Sequence, residues 1–272
     1  MSHATTDYTQ ILYDVSDAVA TITINRPDKL NSFTPVTIRE MIDAFRWAGE
    51  DSSVGVIVLT GAGDRAFCAG GDMNWEKEGG LKELRDNKGG SDDFMAGLYD
   101  SMRDCLKPII ARVHGWCIGG GNHLAYHCDF TIASDDSTFG QNGPRVGSPA
   151  SGAIVSYLID VVGAKRAREM WMLCRRYTAQ EMLAWGLVNS VVPAAQLDAE
   201  VRQWADEMLS LSPTVLKVVK TSFDDHWKPL RDRQIPDNFL EEINPGFFDS
   251  GEQQEGATAF LDKRKPDFSP WR

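Results

Sequence analysis

The apolar positions follow two periods, and these divide the chain into elements. Ile11-Leu12-Tyr13-Asp14-Val15 and Ala18-Val19-Ala20-Thr21-Ile22-Thr23-Ile24 are β-rich runs meeting at Ser16-Asp17, which predicts a hairpin. Asn25-Arg26-Pro27-Asp28-Lys29 breaks the second run. Thr34-Pro35 then opens a helix, with Pro just inside its start and Ile38, Met41, Ile42 and Phe45 on one face. Val54 to Thr60 is continuously apolar, as in a strand buried on both faces. Strands are also expected at 109–113, 130–133 and 188–192. Residues 139–149 are expected to form a long loop. Helices are expected at about 94–106, 151–161, 164–174, 195–210, 213–225, 236–243 and 251–262, with Thr178-Ala179-Gln180-Glu181 reading as a helix cap and first turn. The polar run 74–93, with Gly79-Gly80 and Gly89-Gly90, reads as a mobile segment and candidate lid. Strand–helix alternation in the first two-thirds implies an α/β core with crossover connections. The helical final third packs on that core or on a neighbour.

Two glycine-rich junctions change this picture. Phe67-Cys68-Ala69-Gly70-Gly71-Asp72 follows one strand, and Trp116-Cys117-Ile118-Gly119-Gly120-Gly121-Asn122-His123 leads from another into a helix. Glycines at a strand-to-helix junction let a backbone N–H approach a ligand closely. The helix terminus behind it adds partial positive charge, which suits a developing oxyanion.

Composition limits the alternatives. The 272 residues are 42% hydrophobic, enough for a full core, and no apolar run approaches 20 residues. Neither a membrane span nor a signal peptide is expected. A net charge of −11 argues against nucleic acid as a partner while allowing a local basic pocket for phosphates. Cys68, Cys105, Cys117, Cys128 and Cys174 lack metal-ligand spacing; buried free thiols in a reducing cytoplasm are expected, and no metal site.

The ordered set of Asn25-Arg26-Pro27, the two glycine junctions and Cys128-Asp129 resembles the crotonase (enoyl-CoA hydratase/isomerase) superfamily over about residues 8–268. The resemblance implies a β-β-α spiral superhelix of the α/β class, with residues 1–195 as the core carrying the CoA and acyl site. Residues 196–272 would form a helical region for oligomerisation and CoA contact. It also implies a homotrimer or homohexamer, with Phe239, Leu240, Phe247, Phe248 and Phe260 as candidate subunit contacts. The substrate would be an acyl-CoA, with coenzyme A as part of the substrate and no tightly bound cofactor. By matching position, the amides of Gly71 and Gly120 would polarise the thioester carbonyl. CoA would lie near Lys29, Leu30 and Ala69, Gly70, Asp72 and Met73, with Trp116, Cys117, Ile118 and Gly119 alongside. Arg26, Lys29 and Lys263-Arg264-Lys265, Lys265 in particular, are candidates for its phosphates.

The family's hydratases place glutamates where this chain has His123 and Gly143, which disfavours simple hydration. His123, near a helix N-terminus, is expected to be neutral and to act as base near pH 7, and Ser148 to touch the acyl group or water. His114 is a weaker candidate. Trp75, Phe94, Tyr99 and Trp116 are candidate acyl-pocket residues, while Tyr126 and His127 read as packing. Residues 139–148, 167–177 and 254–268 are similar to 1,4-dihydroxy-2-naphthoyl-CoA synthase and 2-ketocyclohexanecarboxyl-CoA hydrolase. Ala150 and Phe248 replace an aspartate of both and a tyrosine of the synthase. That resemblance makes Gln141, Asn142, Gly143 and Trp171 a candidate bicarbonate site. It points to hydrolytic C–C cleavage of a cyclic β-ketoacyl-CoA. The rivals are a hydratase or isomerase with another acid–base group, ring closure of the synthase type, and an acyl-CoA-binding pseudoenzyme.

Overall fold

The computed structural model describes residues 8–86, 91–233 and 239–271. Its larger sheet has the order β1-β2-β3-β5-β7-β10, formed by β1 (Ile11–Ser16), β2 (Val19–Ile24), β3 (Val56–Gly61), β5 (Ile109–Val113), β7 (Phe130–Ser134) and β10 (Ser190–Val192). The β1–β2 hairpin pairs Ile11 with Ile24 and Ser16 with Val19. It turns at Asp17 and Ala18, both at positive φ, as a two-residue hairpin requires. From β2 onward every pair is parallel.

A smaller sheet joins β4 (Ala66–Cys68), β6 (Trp116–Ile118), β8 (Thr138–Gly140) and β9 (Tyr177–Thr178), parallel except for its last pair. Three times the chain passes from a strand of the large sheet to one of the small sheet and on into a helix: β3-β4, β5-β6 and β7-β8. This is the expected β-β-α spiral, and it brings the ends of β4 and β6 side by side.

Burial in the large sheet has period two. Ile22, Ile24, Ile57, Leu59, Ile109 and Ala111 face a core with Met41 and Phe45 of helix α1 (Pro35–Glu50). Val19, Val56, Val58, Ile110 and Ile132 face the opposite way, onto Leu197, Val201, Ala205 and Met208. With both faces covered, β3 is buried along its whole length, as its unbroken apolar run predicts.

The remaining helices are α2 (Met73–Lys77), α3 (Gly80–Asp86), α4 (Ser91–Asp104), α5 (Gly120–His127), α6 (Gly143–Val146), α7 (Gly152–Val162), α8 (Ala164–Leu173), α9 (Ala179–Trp185), α10 (Leu197–Leu209), α11 (Pro213–Arg233), α12 (Phe239–Ile243) and α13 (Glu252–Leu261). The expected cap at Thr178 is a capping box with Glu181. Asp129 accepts from the Ile109 amide and pairs at 2.8 Å with the buried Lys220 ammonium, which ties α11 to the start of β5.

Three expectations need correction. The polar run after Asp72 is not a loose segment. Residues 73–77 and 80–86 are helical, and Gln253 of α13 donates to the Glu76 carbonyl at 3.0 Å. Residues 87–90 of the supposed lid, 236–238 of the expected helix and the Phe94 side chain lie outside the described residues. The 139–149 stretch is only partly loop, because it ends β8 and contains α6. Phe247 and Phe248 are not exposed for subunit contact. They are buried within their own chain, edge to face at 5.2 Å, whereas Phe239 and Phe260 are exposed. Val215, Val218 and Phe223 leave an apolar stripe exposed on α11.

Candidate active site

The site begins where residues 70–72 follow β4. Phe33 donates to the Gly70 carbonyl at 2.9 Å and accepts from the Asp72 amide at 3.0 Å. In a parallel bridge this uses the groups flanking Gly71, so the N–H of Gly71 itself faces away from Phe33. Gly120 is the first residue of α5, behind an N-cap glycine, and a first-turn N–H has no partner within its own helix. Among the described residues, nothing accepts from either amide. The junctions are in close contact: a Cβ on Gly70, at φ +95°, would stand 3.1 Å from the Gly120 nitrogen. Gly121 needs its bareness for packing, since a Cβ there would strike the Cys68 backbone.

A web of short-range bonds fixes this turn. Asp72 caps α2 through the Asn74 amide at 3.0 Å and pairs with Arg26 at 2.8 Å, and Arg26 also reaches the Ser32 carbonyl. That partner, with the capping bonds, holds the Asp72 carboxyl below its ordinary range against the opposing effect of burial. Arg26, expected at the phosphates, is thus already engaged as a brace. Asn31, fully buried at positive φ, was not among the expected site residues. It donates to the Ala62 and Ala66 carbonyls and accepts from the Arg26 amide. Leu30 accepts from the Ala69 amide at 3.0 Å, linking the Asn-Arg-Pro turn to the glycine junction.

Glu76 is the principal residue that sequence reasoning passed over. Its carboxyl occupies the space a Cβ on Gly71 would need, and the side chain is 4% exposed. Ser148 donates to one side of the carboxyl, while Oε2 has no partner among the described residues. Burial pushes Glu76 up to about 7. The available signal was spacing: Met73, Glu76 and Gly80 share one helical face, at the start of a run read as a mobile segment.

His123 is held on α5. Its ring is 5.2 Å from that of Trp171, and Nε2 is 3.1 Å from Gln141 Oε1, which places the imidazole proton on Nε2. Burial drives its pKa down to about 4, only partly offset by the Gln141 bond. Burial thus keeps the ring neutral near pH 7. Gln141 Nε2 and Trp171 Nε1 are buried donors with no partner among the described residues. Asn142 does not join them; its Oδ1 accepts from Arg176 at 2.9 Å. Ser148 and Gly143 connect the two walls through a 3.1 Å bond, Ser148 N–H to Gly143 carbonyl. Beside them opens a cavity of about 220 Å³ lined by Gly143, Ser148, Trp171, Leu240, Phe247 and Phe268. A larger cavity of about 440 Å³, between the large sheet and α10, includes neither glycine junction.

Other candidates fall outside this cluster. Lys29 and Lys265 are exposed, and Arg264 is paired with Glu255. Trp116 is 43% exposed, and Cys117 is buried in the core. Tyr99 is core, stacked 4.1 Å from His127. Tyr126 donates to the Ile154 carbonyl, and His114 faces Arg112. All five cysteines are free and buried, and among the described residues no acidic, His or Cys cluster suits a metal and no helix is long and apolar enough to cross a membrane.

A spiral α/β fold with two unpaired amides at adjoining glycine junctions is the arrangement the sequence led one to expect, and comparison with known proteins gives it a family. The enoyl-CoA hydratase/isomerase family profile matches residues 14–270. Solved structures agree over 96% of this chain. An enoyl-CoA hydratase from Mycobacterium avium subsp. paratuberculosis K-10 is 29% identical, with TM-score 0.78 and 99% of its chain covered. An enoyl-CoA hydratase/carnithine racemase from Magnetospirillum magneticum is 30% identical, with TM-score 0.75 and 96% covered. A methylmalonyl-CoA decarboxylase in complex with 2-nitronate-propionyl-CoA is 26% identical, with TM-score 0.82 and 98% covered. The chain belongs to the enoyl-CoA hydratase/isomerase family, and so to the acyl-CoA enzymes of the crotonase superfamily.

Proposed function

We infer that this enzyme cleaves a C–C bond at the α-carbon of an acyl-CoA, most specifically the ring of a cyclic β-ketoacyl-CoA with addition of water. The observation that carries this reading is the pairing of two unfilled amides, Gly71 and Gly120, with the absence of a carboxylate at 123 and 143. Water adds to the ring ketone, the bond to the α-carbon breaks, and its electron pair passes into the thioester as an enolate. The two amides stabilise that charge in a dry site, where one such donor contributes about 3–4 kcal/mol. Without the glutamates, addition of water across a double bond lacks its acid–base pair.

The unpartnered donors of Gln141 and Trp171 suit an anion. Bicarbonate held by them would supply a base beside His123, and a substrate carboxylate would fit the same donors. A second reading, decarboxylation of a substituted malonyl-CoA, is favoured by the fold's agreement with methylmalonyl-CoA decarboxylase. It breaks a bond at the same carbon and needs no water. Lys29 and Lys265 remain the proposed phosphate contacts. A homotrimer or its hexamer fits the apolar stripe on α11, to be checked by mass in solution. The five buried thiols fit a cytoplasmic location.

The test is product analysis with 2-ketocyclohexanecarboxyl-CoA, methylmalonyl-CoA and crotonyl-CoA. Ring opening supports the lead reading, and CO₂ release from methylmalonyl-CoA alone moves the assignment to the second. Hydration of crotonyl-CoA alone rejects both.

A further inference from the structure

We propose that Glu76 is the catalytic acid–base residue that carries a proton to and from the α-carbon of the bound thioester. The inference rests on the enolate reading above and extends it to a group on α2, away in sequence from the vacant glutamate positions.

The geometry is specific. The carboxyl fills the space a side chain on Gly71 would need, which sets it beside one of the two amides assigned to the thioester oxygen. Its backbone is held at both ends of a short helix. Asp72, locked by Arg26, caps the start, and Gln253 binds the Glu76 carbonyl from α13. Ser148 orients one oxygen, and Oε2 is left buried without a partner among the described residues. A buried carboxyl oxygen left unsatisfied is costly, which makes it a position for a proton or a substrate atom.

Few charges face this group. Asp72 lies at the start of the same helix and is neutralised by Arg26; the 143–149 loop contributes Ser148, and α13 contributes the neutral Gln253. Burial therefore dominates and holds the carboxyl near half-protonation at neutral pH.

The step balances without a co-reactant beyond water. When the C–C bond breaks, its electron pair forms the enolate. The Glu76 carboxylic acid then transfers its proton to the α-carbon as the thioester carbonyl re-forms, and the carboxylate regains a proton from the water consumed or from solvent. In reverse, the carboxylate removes an α-proton from a saturated acyl-CoA and the amides hold the resulting enolate.

Propionyl-CoA offers no ring to open, no carboxylate to lose and no double bond to hydrate, so it isolates this proton transfer. The full-length enzyme is incubated with propionyl-CoA in D₂O, and α-deuterium is followed by NMR across pH 5–9. The expected result is wild-type exchange that rises with pH around a midpoint near 7. Glu76→Gln should slow it by about 10²–10⁴-fold with propionyl-CoA affinity and circular dichroism retained. Glu76→Asp, which keeps a carboxyl, should recover part of the rate. Exchange at the wild-type rate in Glu76→Gln would overturn the role of Glu76 and leave the enolate reading standing. Wild-type enzyme that binds propionyl-CoA without exchanging its α-proton also overturns the role. Wild-type enzyme that does not bind it removes the acyl-CoA site on which both rest.

Discussion

The two walls of the site show one physical cause acting in opposite directions. On α5, His123 is enclosed by Gln141, Trp171 and Tyr126, and burial lowers its pKa to about 4. On α2, Glu76 is enclosed beside Gly71 and Ser148, and burial raises it to about 7. Desolvation penalises whichever form is charged, so a base loses proton affinity and an acid gains it. Burial therefore keeps His123 neutral near pH 7 and holds Glu76 where it titrates there. Proton-transfer capacity in an enclosed site therefore cannot be assigned from residue type alone.

The largest effect expected on kcat comes from the backbone and not from either residue. Gly120 is the first residue of α5, where proline is tolerated and lacks the N–H. A substituent at 120 would strike the Phe33 ring, so the change is made with Phe33→Ala and compared with Phe33→Ala alone. Gly120→Pro should lower kcat by about 10²–10³-fold while CoA-ester affinity changes little. An unchanged kcat would place the oxyanion contact elsewhere.

Next come the walls themselves, compared through folding stability. Glu76 has its folded pKa raised above the ordinary 4.5, so the native state holds the extra proton between pH 4.5 and 7. Stability from this group is complete below 4.5 and is lost as pH rises through 7. Glu76→Gln should therefore stabilise the protein above pH 7 by roughly 3 kcal/mol and flatten that part of the profile. His123 runs the other way: its folded value is depressed below 6.5, so stability is full above 6.5 and is lost as pH falls through 4. Denaturant titrations from pH 4 to 8 check both signs. A Glu76→Gln protein less stable than wild type at pH 8 would break the comparison.

The smallest effect tests what tunes Glu76. The Ser148 hydroxyl lowers that pKa by bonding the carboxylate. Ser148→Ala should move the midpoint of α-proton exchange upward by about one pH unit, the scale of one hydrogen bond to a charged group. A midpoint that falls would mean Ser148 bonds the protonated form instead.

Much of the frame was legible because it rests on local rules. The Ile11–Ile24 alternation, the unbroken apolar run of β3 and the Thr178–Glu181 cap each specify structure within a few residues. The glycine junctions were legible as close backbone approaches at strand ends, while the role expected of Gly71 and Gly120 came from the family resemblance. Glu76 was not legible. Its burial comes from Gly71, Ser148 and Gln253, brought together from three distant segments, and it sits in a polar run that read as a mobile segment. The pairing of Arg26 with Asp72 was not legible either, because the two are brought together only by the return of the chain. Phe247 and Phe248 were misread because nothing local distinguishes an apolar pair covered by its own chain from one covered by a neighbour.

A crystal structure of the enzyme with a nitronate analogue of a propionyl-CoA enolate tests the central claim most directly. The account predicts the thioester oxygen about 2.7–3.1 Å from the amide nitrogens of both Gly71 and Gly120. An oxygen bound by only one of them, or by neither, would contradict it.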